Sequence, residues 1–293
     1  MQQTYQKNDV GTANTALPNF LVIGAMKCGT TSLHHYLSLH PEIFMSRQKE
    51  LHYFVEERNW SKGEAWYRNQ FESGYQACGE ISPTYSAYPA LKGVPQRIHR
   101  LLGDIRIIYV VRDPIERILS QYIHVVAQGK EIRPFKEIVK DLQSDYVWRS
   151  RYAEQLKQYL PLFPRERILL ITQESLLAQR QSTLQQVCRF LGVSDNIKFS
   201  VTRELHSTRS KRRPGAAALC VGSMLEKTQL SKLSPRLAGF VYQLLTYPFS
   251  EPIERPNLDE YSCKTLLTLL QDDVQCLEEL TGQTFPDWAL MHK

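Results

Sequence analysis

Short apolar runs alternate with amphipathic stretches along most of this chain of 293 residues. The apolar run at residues 20–23 is followed by a glycine loop and an amphipathic stretch that extends to about Leu39. A β-branched run at residues 105–111 precedes apolar residues at helical spacing. Alternating strands and helices are typical of a parallel sheet covered on both faces. We therefore predict an α/β fold with three layers, α/β/α, around a central parallel sheet.

The same patterns predict the remaining elements. Strands are expected at residues 43–45, 77–81 and 167–171, and helices at residues 60–71, 94–102, 152–160, 183–191, 216–247 and 263–280. The chain becomes mostly helical after Pro214. We expect residues 1–18 to form a flexible tail and residues 19–293 a single domain, in which residues 214–293 are a helical extension packed on the core.

The loop between the first strand and its helix has the features of a phosphate site. Gly24 and Gly29 permit backbone conformations that let a ligand approach closely. Thr30, Thr31 and Ser32 then open the helix, whose first N–H groups and dipole favour an anion. The glycine spacing is that of a P-loop-like fold, although a tight turn before a capped helix is the simpler alternative.

The lysine of this loop stands in an unusual place. The P-loop of a nucleoside triphosphatase carries lysine directly after its second glycine, where this chain has Thr30. Its lysine is Lys27, in the middle of the loop, which favours a nucleotide with a 5′-phosphate over hydrolysis of ATP or GTP. Cys28 lies beside Lys27 at the helix N-terminus, which favours its thiolate, but we prefer the interpretation that Cys28 is simply a small loop residue.

A second candidate site follows the strand at residues 105–111. Arg112 stands at the carboxyl end of this strand, where open α/β sheets bind ligands. Asp113 is placed to cap the next helix, on which Arg117 and Ser120 share a face. The alternative is that Arg112 pairs with a nearby carboxylate and that Ser120 is an ordinary helix residue.

Net charge, apolar content and cysteine spacing indicate which kinds of protein this chain can be. The net charge of +6 aids attraction of anionic ligands, and 42% hydrophobic residues suffice for an ordinary core. The chain contains no uninterrupted run of about 18 apolar residues, so we expect no membrane span. The six cysteines lack the Cys-x2-Cys spacing of a zinc or redox motif, so we expect a reducing compartment.

Together, the two candidate segments resemble the sulfotransferases that use 3′-phosphoadenosine 5′-phosphosulfate (PAPS). Residues 27–31 are similar to the family's Lys-x-Gly-Thr-Thr loop, which binds the 5′-phosphosulfate. Residues 112–120 are similar to its Arg-Asp-Pro-x-x-Arg-x-x-Ser element, which binds the 3′-phosphate. A Leu-Thr-Gly…Trp signature recurs at residues 280–288. The resemblance implies a sulfotransferase that converts PAPS to 3′,5′-ADP and requires no metal.

The resemblance also implies the residues that bind the cofactor. They are Lys27, Cys28, Gly29, Thr30, Thr31, Ser32, Arg112, Ser120, Tyr152, Arg209 and Lys211. Lys27 is in addition a candidate catalytic residue on the leaving-group side, and Arg117 is expected to form a structural ion pair. Arg209 and Lys211 belong to a basic segment where the family has a loop over the cofactor; a solvated linker is an equal alternative.

Two residues are candidates for the base that deprotonates the acceptor. Glu50, in the Lys-Glu-Leu-His-Tyr-Phe sequence of residues 49–54, matches the glutamate of relatives that modify heparan sulfate. His52 is the second candidate, because imidazole titrates near neutral pH. A surface ion pair of Glu50 with Lys49 or Arg47 is the alternative.

The acceptor stays open, and we expect a hydroxyl of a small molecule or a glycan rather than an amine. Residues 80–83, Glu-Ile-Ser-Pro, lack the lysine of the Glu-Lys-Thr-Pro sequence in heparan-type relatives, which weakens the expectation of a heparan-like acceptor. Aromatic residues expected at the mouth of the site suit a sugar, a lipid or a polyketide: Tyr53, Phe54, Tyr85 and Tyr88.

Two other functions remain as alternatives. A P-loop-type small-molecule kinase would use Asp113 to hold magnesium, and a non-catalytic nucleotide or nucleic-acid binder would use the basic segment. No recognised nucleic-acid module is present, so no nucleic-acid partner is expected. The N-terminal residues lack the apolar core of a signal peptide and the membrane anchor of many animal relatives, so we expect a cytoplasmic, microbial protein.

Overall fold

The computed structural model describes residues 16–199, 212–214 and 250–288. Its main sheet consists of β1 (Phe20–Gly24), β2 (Ile43–Met45), β3 (Ala77–Ile81), β4 (Arg106–Val111) and β5 (Ile168–Thr172). The strand order is β2-β3-β1-β4-β5, and all four pairings are parallel. Every residue of the central strand β1 is buried, as expected for a parallel sheet covered on both faces. The predicted α/β fold with a central parallel sheet is confirmed.

Helices join and cover these strands. They are α1 (Thr30–Ser38), α2 (Gly63–Arg68), α3 (Val94–Leu102), α4 (Pro114–Ala127), α5 (Phe135–Lys140), α6 (Asp145–Trp148), α7 (Tyr152–Leu156), α8 (Gln173–Ala178), α9 (Arg180–Leu191) and α10 (Glu260–Thr281). A separate antiparallel pair joins β6 (Arg212–Pro214) to β7 (Ser250–Pro252). None of the helices in the described ranges combines the length and the apolarity that crossing a bilayer requires.

Two predicted helices are shorter than expected. The helix predicted at residues 60–71 is a 3₁₀ turn (Trp60–Lys62) followed by α2, because Gly63 interrupts the helix with a φ of 78° and a ψ of 166°. The helix predicted at residues 152–160 ends at Leu156, after which the chain forms single turns. The helix predicted at residues 216–247 and most of the predicted tail lie outside the described residues.

The described part of the C-terminal extension packs on the core through α10. Its buried side chains recur every three or four positions: Leu266, Leu270, Val274 and Leu277. Trp288 is also buried, and its ring lies 4.2 Å from that of Phe285 and 5.9 Å from that of Tyr152.

A buried carboxyl group joins α10 to α7. The two carboxylate oxygens of Asp273 accept hydrogen bonds from the backbone N–H groups of Ala153 (3.0 Å) and Glu154 (3.1 Å). These bonds satisfy donors in the first turn of α7, which have no partner within a helix. Burial raises the pKa of Asp273 from 3.8 to about 6, in spite of these two hydrogen bonds.

The raised pKa of Asp273 predicts a pH-dependent stability. The folded protein holds this proton more tightly than the unfolded chain, so its contribution is largest at low pH and is lost as the pH rises through 6. Between roughly pH 5 and pH 8, we expect the unfolding free energy of wild type to fall by about 1.4 kcal/mol relative to that of Asp273→Asn. Chemical denaturation at several pH values measures this difference.

The neighbouring Asp272, which is exposed on the same helix, provides the matched control. Asp272→Asn should keep a constant difference from wild type over this pH range. A constant difference for Asp273→Asn as well would contradict the assigned cause.

Candidate functional site

The glycine loop (residues 24–29) leaves the carboxyl end of the central strand β1. Gly29 is the N-cap residue of α1 and has a left-handed backbone, with a φ of 87° and a ψ of 12°. Lys27 also has a positive φ, of 73°, which is uncommon for a residue with a Cβ. The first turn of α1 carries no acidic side chain. The loop therefore places a lysine next to a helix N-terminus, a combination that stabilises an anion.

Arg112 follows β4 directly, at the same edge of the sheet. Because β4 pairs with β1, the glycine loop and the segment that begins at Arg112 leave adjacent strands. A guanidinium nitrogen of Arg112 lies 3.0 Å from a carboxylate oxygen of Glu116, so the ion pair considered as an alternative is present. The Arg112 side chain nevertheless keeps 21% of its surface exposed. A ligand at this edge can reach it.

Asp113 is a helix cap. Its Oδ1 accepts hydrogen bonds from the backbone N–H groups of Ile115 (2.8 Å) and Glu116 (3.0 Å) at the start of α4. Its side chain is 5% exposed. This use of the carboxylate disfavours the kinase alternative, in which Asp113 would face a magnesium ion. Ser120 lies further along α4 and is largely buried.

The hydroxyl group of Tyr152 connects the two candidate segments. It donates a hydrogen bond to the backbone carbonyl of Arg112 (2.7 Å) and lies 3.7 Å from the Sγ of Cys28 in the glycine loop. Tyr152 has no exposed surface. It therefore holds both segments from the interior of the protein, and its predicted contact with a cofactor stays a prediction.

The preferred interpretation of Cys28 as a small, unreactive loop residue agrees with the structure, and the alternative of a thiolate does not. Cys28 is fully buried, and burial raises the pKa of its thiol to about 11, which outweighs the opposing effects of Arg117 and Arg112. The Cys28 Sγ also lies 3.9 Å from the backbone carbonyl of Met26, to which the thiol can donate. The neighbouring Lys27 and helix N-terminus do not ionise a side chain that faces the core, and this side chain offers a ligand no surface.

Arg117 is a structural residue, but the predicted ion pair is replaced by hydrogen bonds to neutral acceptors. Its fully buried guanidinium donates to the side chains of Ser150 and Gln121 and to the backbone carbonyl of Tyr146. Burial lowers the pKa of Arg117 from its usual value. These bonds join α4 to the segment before α7.

A third segment, residues 49–54, carries both candidate bases in an unusual backbone conformation. Glu50 has a φ of 61° and His52 a φ of 48°. Non-glycine residues in this region cost free energy and persist only where surrounding contacts fix them. The Glu50 N–H donates to the Ile81 carbonyl (3.1 Å), which places this segment at the end of β3.

Buried Glu80 holds this segment in place. Its carboxylate accepts hydrogen bonds from the hydroxyl groups of Tyr67 (2.8 Å), Tyr85 (2.8 Å) and Ser82 (2.7 Å), and from the backbone of Leu51. The Ser82 oxygen in turn accepts a bond from the His52 N–H (3.1 Å). Burial raises the pKa of Glu80. The Glu80–Ser82 pair had no predicted role, and its signal in the sequence is a carboxylate inside an apolar strand.

The two candidate bases lie close together. Glu50 is 38% exposed, and its Oε2 lies 3.8 Å from the Nε2 of His52. The other ring nitrogen of His52 shares a 2.8 Å hydrogen bond with the Thr84 hydroxyl. Burial and, to a smaller degree, Arg58 lower the pKa of His52, so its imidazole is neutral near pH 7. Glu50 is the more accessible of the two.

Most of the aromatic residues expected at the mouth of the site belong to the core instead. Tyr53, Phe54 and Tyr85 are at most 2% exposed, and only Tyr88 of the predicted group is half-buried. The ring of Tyr53 stacks on that of Tyr67 at 4.3 Å. Burying these large aromatic side chains is favourable, so their packing in the core anchors residues 49–54.

Lys49 is the site residue that sequence reasoning missed. Its Nζ lies 2.6 Å from the Oε1 of Glu50 and 3.2 Å from the hydroxyl oxygen of Thr31 in α1. The ion pair considered for Glu50 is therefore present with Lys49, whereas Arg47 pairs with Glu72. The contact with Thr31 joins residues 49–54 to the first turn after the glycine loop.

The three segments bring most of the predicted residues to one edge of the sheet: Lys27, Gly29, Thr30, Thr31, Ser32, Glu50, His52 and Arg112. Arg209 and Lys211 lie outside the described residues. Within the described ranges, no three His, Cys, Asp or Glu side chains cluster closely enough to hold a metal ion. The arrangement offers cations and a helix N-terminus to an anion, beside a carboxylate that can accept a proton.

Comparison with known proteins identifies relatives of this chain. The family model of the sulfotransferase domain matches residues 17–216. The chain is 31% identical to heparan sulfate glucosamine 3-O-sulfotransferase 5 of Mus musculus over 212 residues, which cover 66% of this chain and 60% of that protein. It is 27% identical to the bifunctional heparan sulfate N-deacetylase/N-sulfotransferase 2 of Homo sapiens, covering 64% of this chain and 23% of that protein.

A solved structure agrees over a larger share of the chain. The crystal structure of a sulfotransferase from Alicyclobacillus acidocaldarius has a TM-score of 0.66 and 25% sequence identity, covering 93% of this chain and 99% of that one. By contrast, the chain spans only 60% of the length of the 3-O-sulfotransferase 5 proteins of mouse and human.

The burial of Cys28 predicts a low reactivity. With a pKa of about 11, about one Cys28 thiol in a thousand is ionised at pH 8. We expect iodoacetamide to label Cys28 in the folded protein at least about tenfold more slowly than the half-buried Cys263. Peptide mass spectrometry measures both rates, and denatured protein serves as the control in which the two should converge. Faster labelling of Cys28 than of Cys263 would restore the thiolate hypothesis.

Proposed function

Because this chain belongs to the sulfotransferase domain family, as its two motifs predicted, we propose that it transfers a sulfuryl group from PAPS to an acceptor hydroxyl and releases 3′,5′-ADP. The observation that carries this proposal is the double contact of Tyr152. A single buried hydroxyl holds the glycine loop and the Arg112 segment together at adjacent strand ends. One ligand with phosphate groups at both ends fits this pairing of two anion sites.

On the donor side, the chain supplies positive charge and hydrogen-bond donors. Lys27 and the first turn of α1 bind the 5′-phosphosulfate, and the Lys27 ammonium stabilises charge that develops on the leaving phosphate. Arg112 binds the 3′-phosphate by charge-assisted hydrogen bonds. Ser120 assists it from α4. The chain contributes mainly positioning and electrostatics, as in phosphoryl transfer.

On the acceptor side, Glu50 acts as the base. The acceptor oxygen forms a bond to sulfur as the bond from sulfur to the bridging oxygen breaks, and the acceptor proton passes to the Glu50 carboxylate. Glu50 is better placed than His52 to accept this proton, because it is more exposed and because one ring nitrogen of His52 already forms a hydrogen bond with the Thr84 hydroxyl. His52 and the Glu80–Ser82 pair hold the Glu50 segment in its strained conformation.

The acceptor class follows from the names of the relatives. Two of them are named for sulfation of heparan sulfate, so we propose a glycan hydroxyl as the first acceptor to test and small hydroxyl compounds as the second. Ile81 stands where heparan-type relatives carry lysine, so a glycan less acidic than heparan sulfate suits this site better. The cytoplasmic location stays a prediction.

Ligand binding tests the donor side. By calorimetry without added metal, the protein should bind 3′,5′-ADP more tightly than ATP, because only the bisphosphate reaches both anion sites. Arg112→Ala should weaken binding of 3′,5′-ADP by about tenfold to a hundredfold, the usual worth of a charge-assisted hydrogen bond. Ser120→Ala should weaken it less.

The control for Arg112 is Arg68→Ala, which removes another arginine–glutamate pair at i,i+4 spacing, with Glu64 on α2. It should leave the affinity unchanged. Equal affinity for ATP and 3′,5′-ADP, together with an Arg112→Ala variant that binds as wild type does, would refute the proposed donor.

Turnover tests the acceptor side. Glu50→Gln should lower the rate of transfer from labelled PAPS by about a hundredfold or more, because general-base catalysis typically contributes that factor. The affinity for 3′,5′-ADP should change little, since Glu50 lies on the acceptor side. Glu56→Gln, at a more exposed glutamate paired with Arg97, is the matched control and should retain full activity. Unchanged turnover in Glu50→Gln would make His52 the base.

A further inference from the structure

Lys49 lies at the junction of the donor and acceptor sides. Its ammonium is 3.2 Å from the hydroxyl oxygen of Thr31, in the first turn of α1, and 2.6 Å from a carboxylate oxygen of Glu50. The side chain is 27% exposed. A group that passes from a donor bound at α1 to an acceptor held at Glu50 must pass close to this ammonium.

The strand β3 (Ala77–Ile81) carries no cationic side chain that could serve this position. The residue at the end of β3 beside Glu50 is Ile81, whose side chain is fully buried and apolar. Lys49 therefore brings positive charge to the site from the adjacent segment. A lysine ammonium has three N–H bonds, and in the described part of the chain two of them are directed to Thr31 and Glu50.

The backbone around Lys49 fixes its direction. Glu50 has a left-handed backbone and donates its N–H to the Ile81 carbonyl, while Leu51 is bound to the buried Glu80 carboxylate. This anchoring limits the positions that Lys49 can sample, so its ammonium is held close to the place where charge develops. Electrostatic stabilisation is most effective when the charged group is already in position.

Building on the proposed function, we propose that Lys49 is a further catalytic residue that binds a sulfuryl oxygen during transfer. The bond from sulfur to the bridging oxygen breaks, its electron pair stays on the 5′-phosphate, the acceptor oxygen bonds to sulfur, and the acceptor proton goes to Glu50. Lys49 keeps its proton throughout and offsets negative charge on the sulfuryl oxygens. Thr31 and Glu50 orient it.

Comparing the affinities for PAPS and 3′,5′-ADP tests this role, because the two ligands differ only in the sulfuryl group. In Lys49→Met, binding of PAPS without acceptor should weaken by about tenfold, while the affinity for 3′,5′-ADP stays within about twofold of wild type. Turnover should fall more than PAPS affinity does. Lys49→Arg should recover part of the PAPS affinity, because it restores the positive charge.

The matched control is Lys157→Met, which removes another lysine–glutamate pair, with Glu154 at 2.7 Å. It should bind both ligands as wild type does. An equal change in both affinities, or no change in either, would overturn the role of Lys49 and leave it a partner of Glu50. Failure of the wild type to bind 3′,5′-ADP would instead refute the proposed function, so the two failures are distinguishable.

Discussion

The hydrogen bond from Tyr152 to the Arg112 carbonyl is the contact on which the site depends. The same hydroxyl meets the Cys28 thiol, so one buried side chain sets the spacing between the glycine loop and the end of β4. Tyr152 is itself held by the C-terminal extension, because Asp273 on α10 caps α7 and Trp288, which follows α10, lies near the Tyr152 ring. A helix more than a hundred residues distant in sequence thus supports the anion site.

Strain at the site is compensated by buried polar contacts. In the described part of the chain, the non-glycine residues with a left-handed backbone are Lys27, Glu50 and His52, the three residues predicted to be catalytic. Such conformations persist where neighbouring interactions over-determine them. Glu80 and Ser82 supply these interactions to residues 49–54. Burial of the Glu80 carboxylate therefore costs free energy, but its hydrogen bonds fix the conformation of residues 49–54.

Two cations of the site, Arg112 and Lys49, are paired with carboxylates. Arg112 and Arg255 both contact Glu116, and Lys49 contacts Glu50. These pairs reduce repulsion among clustered positive charges and hold flexible side chains near the sheet edge. A polyanionic ligand competes with Glu116 for Arg112, so the free energy of binding includes the loss of that pair. The Lys49–Glu50 pair differs, because both members take part in the proposed transfer.

The sequence by itself determined the five strands of the main sheet, the helix that follows each motif and the family, because apolar periodicity and motif spacing are local properties. It also placed Lys27, Glu50 and Arg112 in the site. Only the tertiary structure decided that Cys28 is a neutral thiol, that Arg117 bonds to neutral acceptors, that Tyr53 and Phe54 are core residues, and that Lys49 meets Thr31. Burial and contacts between distant segments set these properties, and neither is encoded in the spacing of neighbouring residues.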